Sequence, residues 1–273
     1  MTITNFLSQR WFQILGAGAI LFLGTEQALK ATGNPNFVPT VILLGAFVVP
    51  AAFVAYFATQ ESRLDKAAHE SVPLSLLVVC FLVGGVLGTV LAGSIEYATL
   101  TKFSIPSLFG VGFIEEAAKL IFPVVIFIRG RYRSEADGLL FGVTAGMGFA
   151  ALETMGYGLV ALINSQGDIT TLEEVLLIRG LLSPVGHAAW TGIVCAVLWR
   201  QRERTGKPFT LIVLGAFILA VVLHAAWDIG SGFNQAWITF LGYGVVGAIS
   251  FTLLALRLRD ARRSLPSAVD NLQ

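Results

Sequence analysis

The chain is predicted to fold as an all-α, polytopic transmembrane helical bundle of about eight spans, and three observations carry that prediction. Of its 273 residues, 55% are hydrophobic and only 13% are charged, about half the ~25% charge of a soluble domain. The mean hydropathy is +0.77. The apolar residues gather into runs of roughly 20, the length that crosses a ~30 Å hydrocarbon layer as a helix, and they lack the two-residue alternation of barrel strands. Composition therefore excludes a water-soluble globule and a disordered chain. A net charge of +1, with no pooled basic patch, excludes a nucleic-acid binder.

The first run, about 11–29, follows Arg10 and is long enough for a retained helix rather than a cleaved signal. Glu26 lies near its end, within reach of the interface. Gly33-Asn34-Pro35-Asn36 forms the turn into the second run, about 37–58. His69, in the next loop, reads as a solvated bystander. The third run is about 72–93 and the fourth about 105–128, closed by the basic loop Arg129-Gly130-Arg131-Tyr132-Arg133. In the fifth, about 138–163, Gly138, Gly142, Gly146 and Ala150 recur at every fourth position. Small residues on one face let helix backbones approach closely in lipid, so this span belongs at the centre. Runs at about 176–199, 209–230 and 236–256 complete the set. Residues 1–256 thus read as one transmembrane domain and 257–273, which contain Pro266, as a polar tail. Cys80 and Cys195 lie inside apolar runs and read as buried small hydrophobes.

Lysine and arginine placement sets an orientation. One side of the predicted topology holds fourteen of these residues, from Arg10 through the Arg129–Arg133 and Arg200–Lys207 loops to Arg263, against Lys30, Lys102 and Arg179 on the other. The richer side is expected to face the cytoplasm, which puts both termini there.

The ionisable residues inside the runs carry the chemistry. A charge at mid-bilayer costs roughly 2.5–3.5 kcal/mol on insertion scales, so such groups face a polar interior and act there. They are Glu115, Glu116 and Lys119 in the fourth run, Glu153 in the fifth, His187 in the sixth, and His224 with Asp228 in the seventh. At a rise of about 1.5 Å per residue, Glu115, Glu153, His187 and His224 fall roughly 9–17 Å below the outer surface. Four helices of alternating direction thus place acids and imidazoles in one slab, which points to one shared site. Lys119 projects between Glu115 and Glu116 and reaches either carboxylate. Phe149, Glu153 and Tyr157 follow at intervals of four on one face, as do His224 and Asp228, so that Asp228 is expected to accept from a ring nitrogen of His224.

Carboxylates and imidazoles suit the activation of water: a desolvated glutamate serves as general base, and a histidine donates to a developing oxyanion. Hydrolysis of an amide within the membrane plane is the reaction class that fits. The alternative is zinc held by His187, His224, Glu115 and Glu153, although no His-Glu-x-x-His is present.

Glu115-Glu116-Ala117-Ala118-Lys119, Phe149-Ala150-Ala151-Leu152-Glu153 with Tyr157, His187-Ala188 followed by Gly192, and His224-Ala225-Ala226-Trp227-Asp228 resemble the four motifs of the PrsW family of bacterial intramembrane proteases. That family is related to the type II CAAX prenyl endopeptidases and bacteriocin-processing enzymes. Order and intervals match over about 105–230, the expected catalytic core. Glu153 stands where the CAAX enzymes carry histidine, and Thr154 where asparagine is expected. The resemblance implies a glutamate-dependent protease with no cofactor, zinc being the alternative. Glu115 or Glu116 would activate water, Glu153, His187 and His224 would surround it, Asp228 would orient His224, and Lys119, Phe149 and Tyr157 would support them. It also implies the bacterial inner membrane as the location, the lipid bilayer as surroundings, and a membrane-protein substrate such as a single-span anti-sigma factor cut at its first site.

Two other function classes compete: a proton-coupled transporter or channel, and a catalytically silent membrane scaffold. A proton path needs polar groups through the inner half of the bundle, but Ile121–Ile128 and Phe209–Val222 are nearly all apolar.

Overall fold

The computed structural model describes residues 7–64, 71–103, 108–231 and 235–263. These fold into α1 (Arg10–Thr32), α2 (Val38–Leu64), α3 (Leu74–Phe103), α4 (Leu108–Arg129), α5 (Glu135–Asn164), α6 (Ile169–Leu182), α7 (His187–Thr205), α8 (Leu211–Ser231) and α9 (Ala236–Arg263). No strand occurs among the described residues. His69, Lys66, the Lys102 side chain and the tail beyond Arg263 lie outside them. Seven helical stretches are long and apolar enough to cross a membrane, so the chain is an all-α integral membrane protein. α4 is not among the seven, because Glu115, Glu116 and Lys119 interrupt its apolar character. Its 22 residues still reach about 33 Å at 1.5 Å each.

α5 is the central helix. It is buried without interruption from Glu135 to Ala151, and α2, α3, α4, α6 and α7 all pack around it. The small-residue stripe of Gly138, Gly142 and Gly146 faces α7. A Cβ added at Gly142 would stand 2.5 Å from the Thr191 carbonyl oxygen and 2.8 Å from Gly192 Cα, so the α5 and α7 backbones are in direct contact. Gly148, on another face, packs against the Phe81 carbonyl of α3. Ser134 and Asp137 cap the helix reciprocally. Cys80 and Cys195 are buried and unpaired, as the apolar reading anticipates.

The expected sixth span at 176–199 is not one helix. α6 ends at Leu182, a 3₁₀ turn follows over Ser183–Val185, and α7 starts at His187. Pro184 lacks a backbone N–H and clashes with the preceding turn, and Gly186 leaves the helical region at φ −101°, ψ −102°. His187 is therefore the first residue of a helix rather than a mid-span residue. α6 packs against α5 and α2. Its N-cap is Asp168, whose side chain accepts from the Thr170 and Thr171 amides; the Thr171 hydroxyl and amide hold that carboxyl below the ordinary Asp range. Lys30 of α1 pairs with Glu26 and, at 2.8 Å, with Glu173 of α6. Glu26 is accordingly buried, at 7% exposure.

α9 continues past the predicted end of its span to Arg263. Arg257 and Arg200 of α7 approach Glu135 of α5 at 3.6 and 3.7 Å, and both also pair with Asp260. This ion-pair cluster ties one end of α9 to α5 and α7.

Gly142→Ala is expected to force α5 and α7 apart and to destabilise the bundle by about 1–3 kcal/mol, the usual cost of overpacking. Thermal unfolding in detergent checks this; an unchanged midpoint would mean that the contact is not tight.

Candidate active site

The site forms where α4, α5, α7 and α8 meet, around the side-chain ammonium of Lys119. Helical spacing on α4 places Lys119 one turn beyond Glu115 and Glu116. Nζ donates to Glu116 Oε1 at 2.8 Å and to Glu115 Oε2 at 3.1 Å, and it contacts His187 Nδ1 at 2.8 Å. An ammonium has three N–H donors and no acceptor, so Nδ1 of His187 is the accepting nitrogen. All three donors are thereby used. The Phe149 ring covers the same ammonium with its centroid 4.2 Å away, a cation–π contact. Lys119 and Glu116 are fully enclosed at 0% exposure, and Glu115 is at 7%.

Glu116 is saturated. Its Oε1 also accepts from His224 Nδ1 at 2.9 Å, and its Oε2 accepts from the Thr191 hydroxyl at 3.2 Å. The expected Asp228–His224 hydrogen bond is not what positions the ring. Asp228 Oδ2 stands 3.6 Å from Nε2, an ion-pair distance, because the fourth-residue spacing aligns the two side chains without bringing them into hydrogen-bond range. Glu116, which lies 108 residues away in the chain, takes that role. The Nε2 atom of His224 faces Glu115 Oε2 at 3.5 Å, and the ring stacks on Trp190 at 4.7 Å between centroids. Trp190 is itself anchored by Ser250.

Glu153 occupies the other side of His187. Its Oε2 lies 3.2 Å from His187 Nε2 and 2.6 Å from Arg179 Nη2 of α6. Neither approach has hydrogen-bond geometry, so charge holds the group. The Arg179 guanidinium also lies 3.8 Å from the Tyr157 ring centroid. Glu115, Glu116, Lys119, Phe149, Glu153, Tyr157, His187, His224 and Asp228, the residues expected at the site, thus all reach this cluster or its border. Arg179 and Thr191 are additions. Arg179 had a legible mark, an arginine inside an apolar stretch with an acid at matching depth; Thr191 had none.

Two cavities adjoin the cluster. One, of about 350 Å³, is a groove between α3, α4 and α5, lined by Thr89, Ala92, Gly93, Glu96, Glu115, Phe149, Glu153, Gly156 and Tyr157 among others. It opens to the bundle surface, where Gly93, Gly156 and Tyr157 are exposed. The second, of about 40 Å³, is bordered by Arg179, His187, Trp190, Trp227 and Tyr243.

The zinc alternative requires His187, His224, Glu115 and Glu153 to converge with free lone pairs. They do not. Nδ1 of His187 accepts from Lys119 and its Nε2 faces Glu153, while the Lys119 ammonium lies between the His187 and Glu115 atoms it contacts. Among the described residues, no group of three or more His, Cys, Asp or Glu is arranged to hold a metal ion. These side chains, as placed, do not fit a zinc site.

Fold and site together define an integral-membrane helical bundle with a buried acid–imidazole–ammonium cluster open to one groove. Residues 72–255 match the family described as PrsW family intramembrane metalloprotease, and the chain belongs to the PrsW family. It is 29% identical over 122 residues to Protease PrsW of Shouchella clausii, covering 43% of this chain and 50% of that protein. It is 23% identical over 200 residues to Protease PrsW of Oceanobacillus iheyensis, covering 71% of this chain and 85% of that protein. The chain thus spans half the length of the first relative. No solved structure matches it.

Lys119→Met is expected to leave two buried carboxylates without their shared cation, at a cost of about 3–5 kcal/mol. A large drop in the thermal midpoint in detergent is the expected result; a midpoint within a degree or so of wild type (roughly, by the scaling of midpoint with stability) would show that Lys119 does not organise the cluster.

Proposed function

We propose that the chain is an intramembrane endopeptidase in which Glu115 activates water. The observation that carries this reading is the unequal state of the three glutamates. Glu116 is enclosed and saturated by Lys119, His224 and Thr191, and Glu153 is matched by Arg179 and His187. Glu115 has the Lys119 ammonium on one oxygen and lines the open groove. Glu153 lines the same groove, but Glu115 is the one with His224 Nε2 beside it, 3.5 Å from its Oε2, which sets a base and an oxyanion donor next to each other.

Glu115 takes a proton from water as the oxygen attacks the peptide carbonyl carbon. His224, in its imidazolium form and held through Nδ1 by Glu116, presents Nε2–H to the developing oxyanion. The C–N bond then breaks, and Glu115 returns the proton to the leaving amine, giving a carboxylic acid and an amine from one amide and one water. Lys119 keeps Glu115 and Glu116 in register. Glu153 and Arg179 hold His187, Asp228 adds negative charge beside His224 Nε2, and Phe149 and Tyr157 shape the wall. No step runs through a metal.

The substrate class that suits a site inside the bundle is a membrane protein, and the family resemblance suggests a single-span anti-sigma factor. We place both termini in the cytoplasm and the protein in the bacterial inner membrane, on the lysine and arginine distribution and the bacterial relatives.

The test is co-expression with a panel of single-span membrane proteins. Glu115→Gln is expected to lower formation of a defined fragment at least ~10²-fold at normal membrane abundance, and Glu116→Gln, His187→Ala and His224→Ala are expected to reduce it strongly. Cleavage persisting in all four variants would sink the protease reading.

A further inference from the structure

The groove contains an acid that the proposed reaction does not use. On α3, Gly88 packs against the Phe149 ring, so Ala92 is level with Glu153 and Glu96 with Tyr157, one helical turn further on. The groove's other acids are matched: Glu115 by Lys119, and Glu153 by Arg179 and His187. Glu96 forms no ion pair among the described residues, and its Oε1 is buried without a hydrogen-bond partner. A buried carboxyl oxygen left unbonded costs free energy that a bound donor recovers, and a cationic donor recovers most. Between Glu96 and Glu115 the groove wall is open. A Cβ added at Gly93 or at Gly156 would meet nothing within 4 Å, which leaves room for a polypeptide backbone along the wall.

We propose that Glu96 and this groove form a substrate subsite that binds an extended, otherwise apolar segment through one lysine or arginine side chain. Glu96 and Glu115 line the same groove, so the basic residue lies in the segment that also presents a bond to Glu115. The position of that bond rests on the endopeptidase reading; the charge selectivity of the groove does not.

The experiment uses the full chain in detergent micelles and short fluorescent Gly/Ala/Leu peptides that carry one Lys, one Glu or one norleucine at the same position. Binding is read by anisotropy and products by mass spectrometry. Wild type is expected to bind the Lys peptide roughly tenfold more tightly than the Glu peptide, the ratio that one charge-assisted hydrogen bond supports. Glu96→Gln is expected to lose most of that preference and Glu96→Lys to reverse it. Gly93→Leu, which extends into open space, is expected to weaken all three peptides alike. Wild-type binding that ignores charge, or a preference unchanged in both Glu96 variants, overturns the subsite. A Glu96-dependent preference without any product supports the subsite and counts against the endopeptidase reading alone.

Discussion

A single buried ammonium organises this protein. Lys119 is fully enclosed in a bundle whose surroundings are lipid, where an unpaired cation is not tolerated. It is stabilised by two carboxylates from its own helix, a ring nitrogen from α7 and an aromatic face from α5. Through Glu116 the same network extends to Thr191 of α7 and His224 of α8. Four helices are thus tied to one point, and two of the tied groups, Glu115 and Phe149, also line the groove. Because removing one partner of a buried ion pair costs more than the pair contributes, each member of the network depends on the others being in place.

Two backbone features make that convergence reachable. The glycines of α5 bring its backbone against α7, so that groups on the two helices meet across a short gap. The break at Ser183–Gly186 then starts α7 at His187, which lets the ring reach both Lys119 and Glu153. The same break turns α6 alongside α5 and delivers Arg179 to Glu153. Without that cation, four carboxylates (Glu115, Glu116, Glu153 and Asp228) would face Lys119 and His224 alone.

Much of the fold and most of the cluster were legible in the sequence because lipid imposes simple rules. A helix must be long and apolar to cross, and a titratable residue within it needs a reason to be there. Those rules locate Glu115, Glu116, Lys119, Glu153, His187 and His224 and the central place of α5. They do not tell which acid meets which ring. His224 pairs with Glu116 instead of its own-helix neighbour Asp228 because packing of α8 on α4, rather than helical spacing, sets the shortest distance. The broken sixth span was signalled by Pro184 and Gly186, but a hydropathy ruler averages over them. Glu96 lay just beyond the predicted end of its span, and only the groove beside it gives it meaning.

The most direct test of the central arrangement is ¹⁵N nuclear magnetic resonance of the histidine rings in the micelle-bound protein, a tractable spectrum because the chain has only three histidines. Donation from Lys119 requires His187 to be the neutral tautomer with its proton on Nε2 and an unprotonated, hydrogen-bonded Nδ1, and Lys119→Met should shift that Nδ1 resonance. A His187 ring protonated on Nδ1, or one indifferent to the loss of Lys119, would contradict the arrangement on which the site depends.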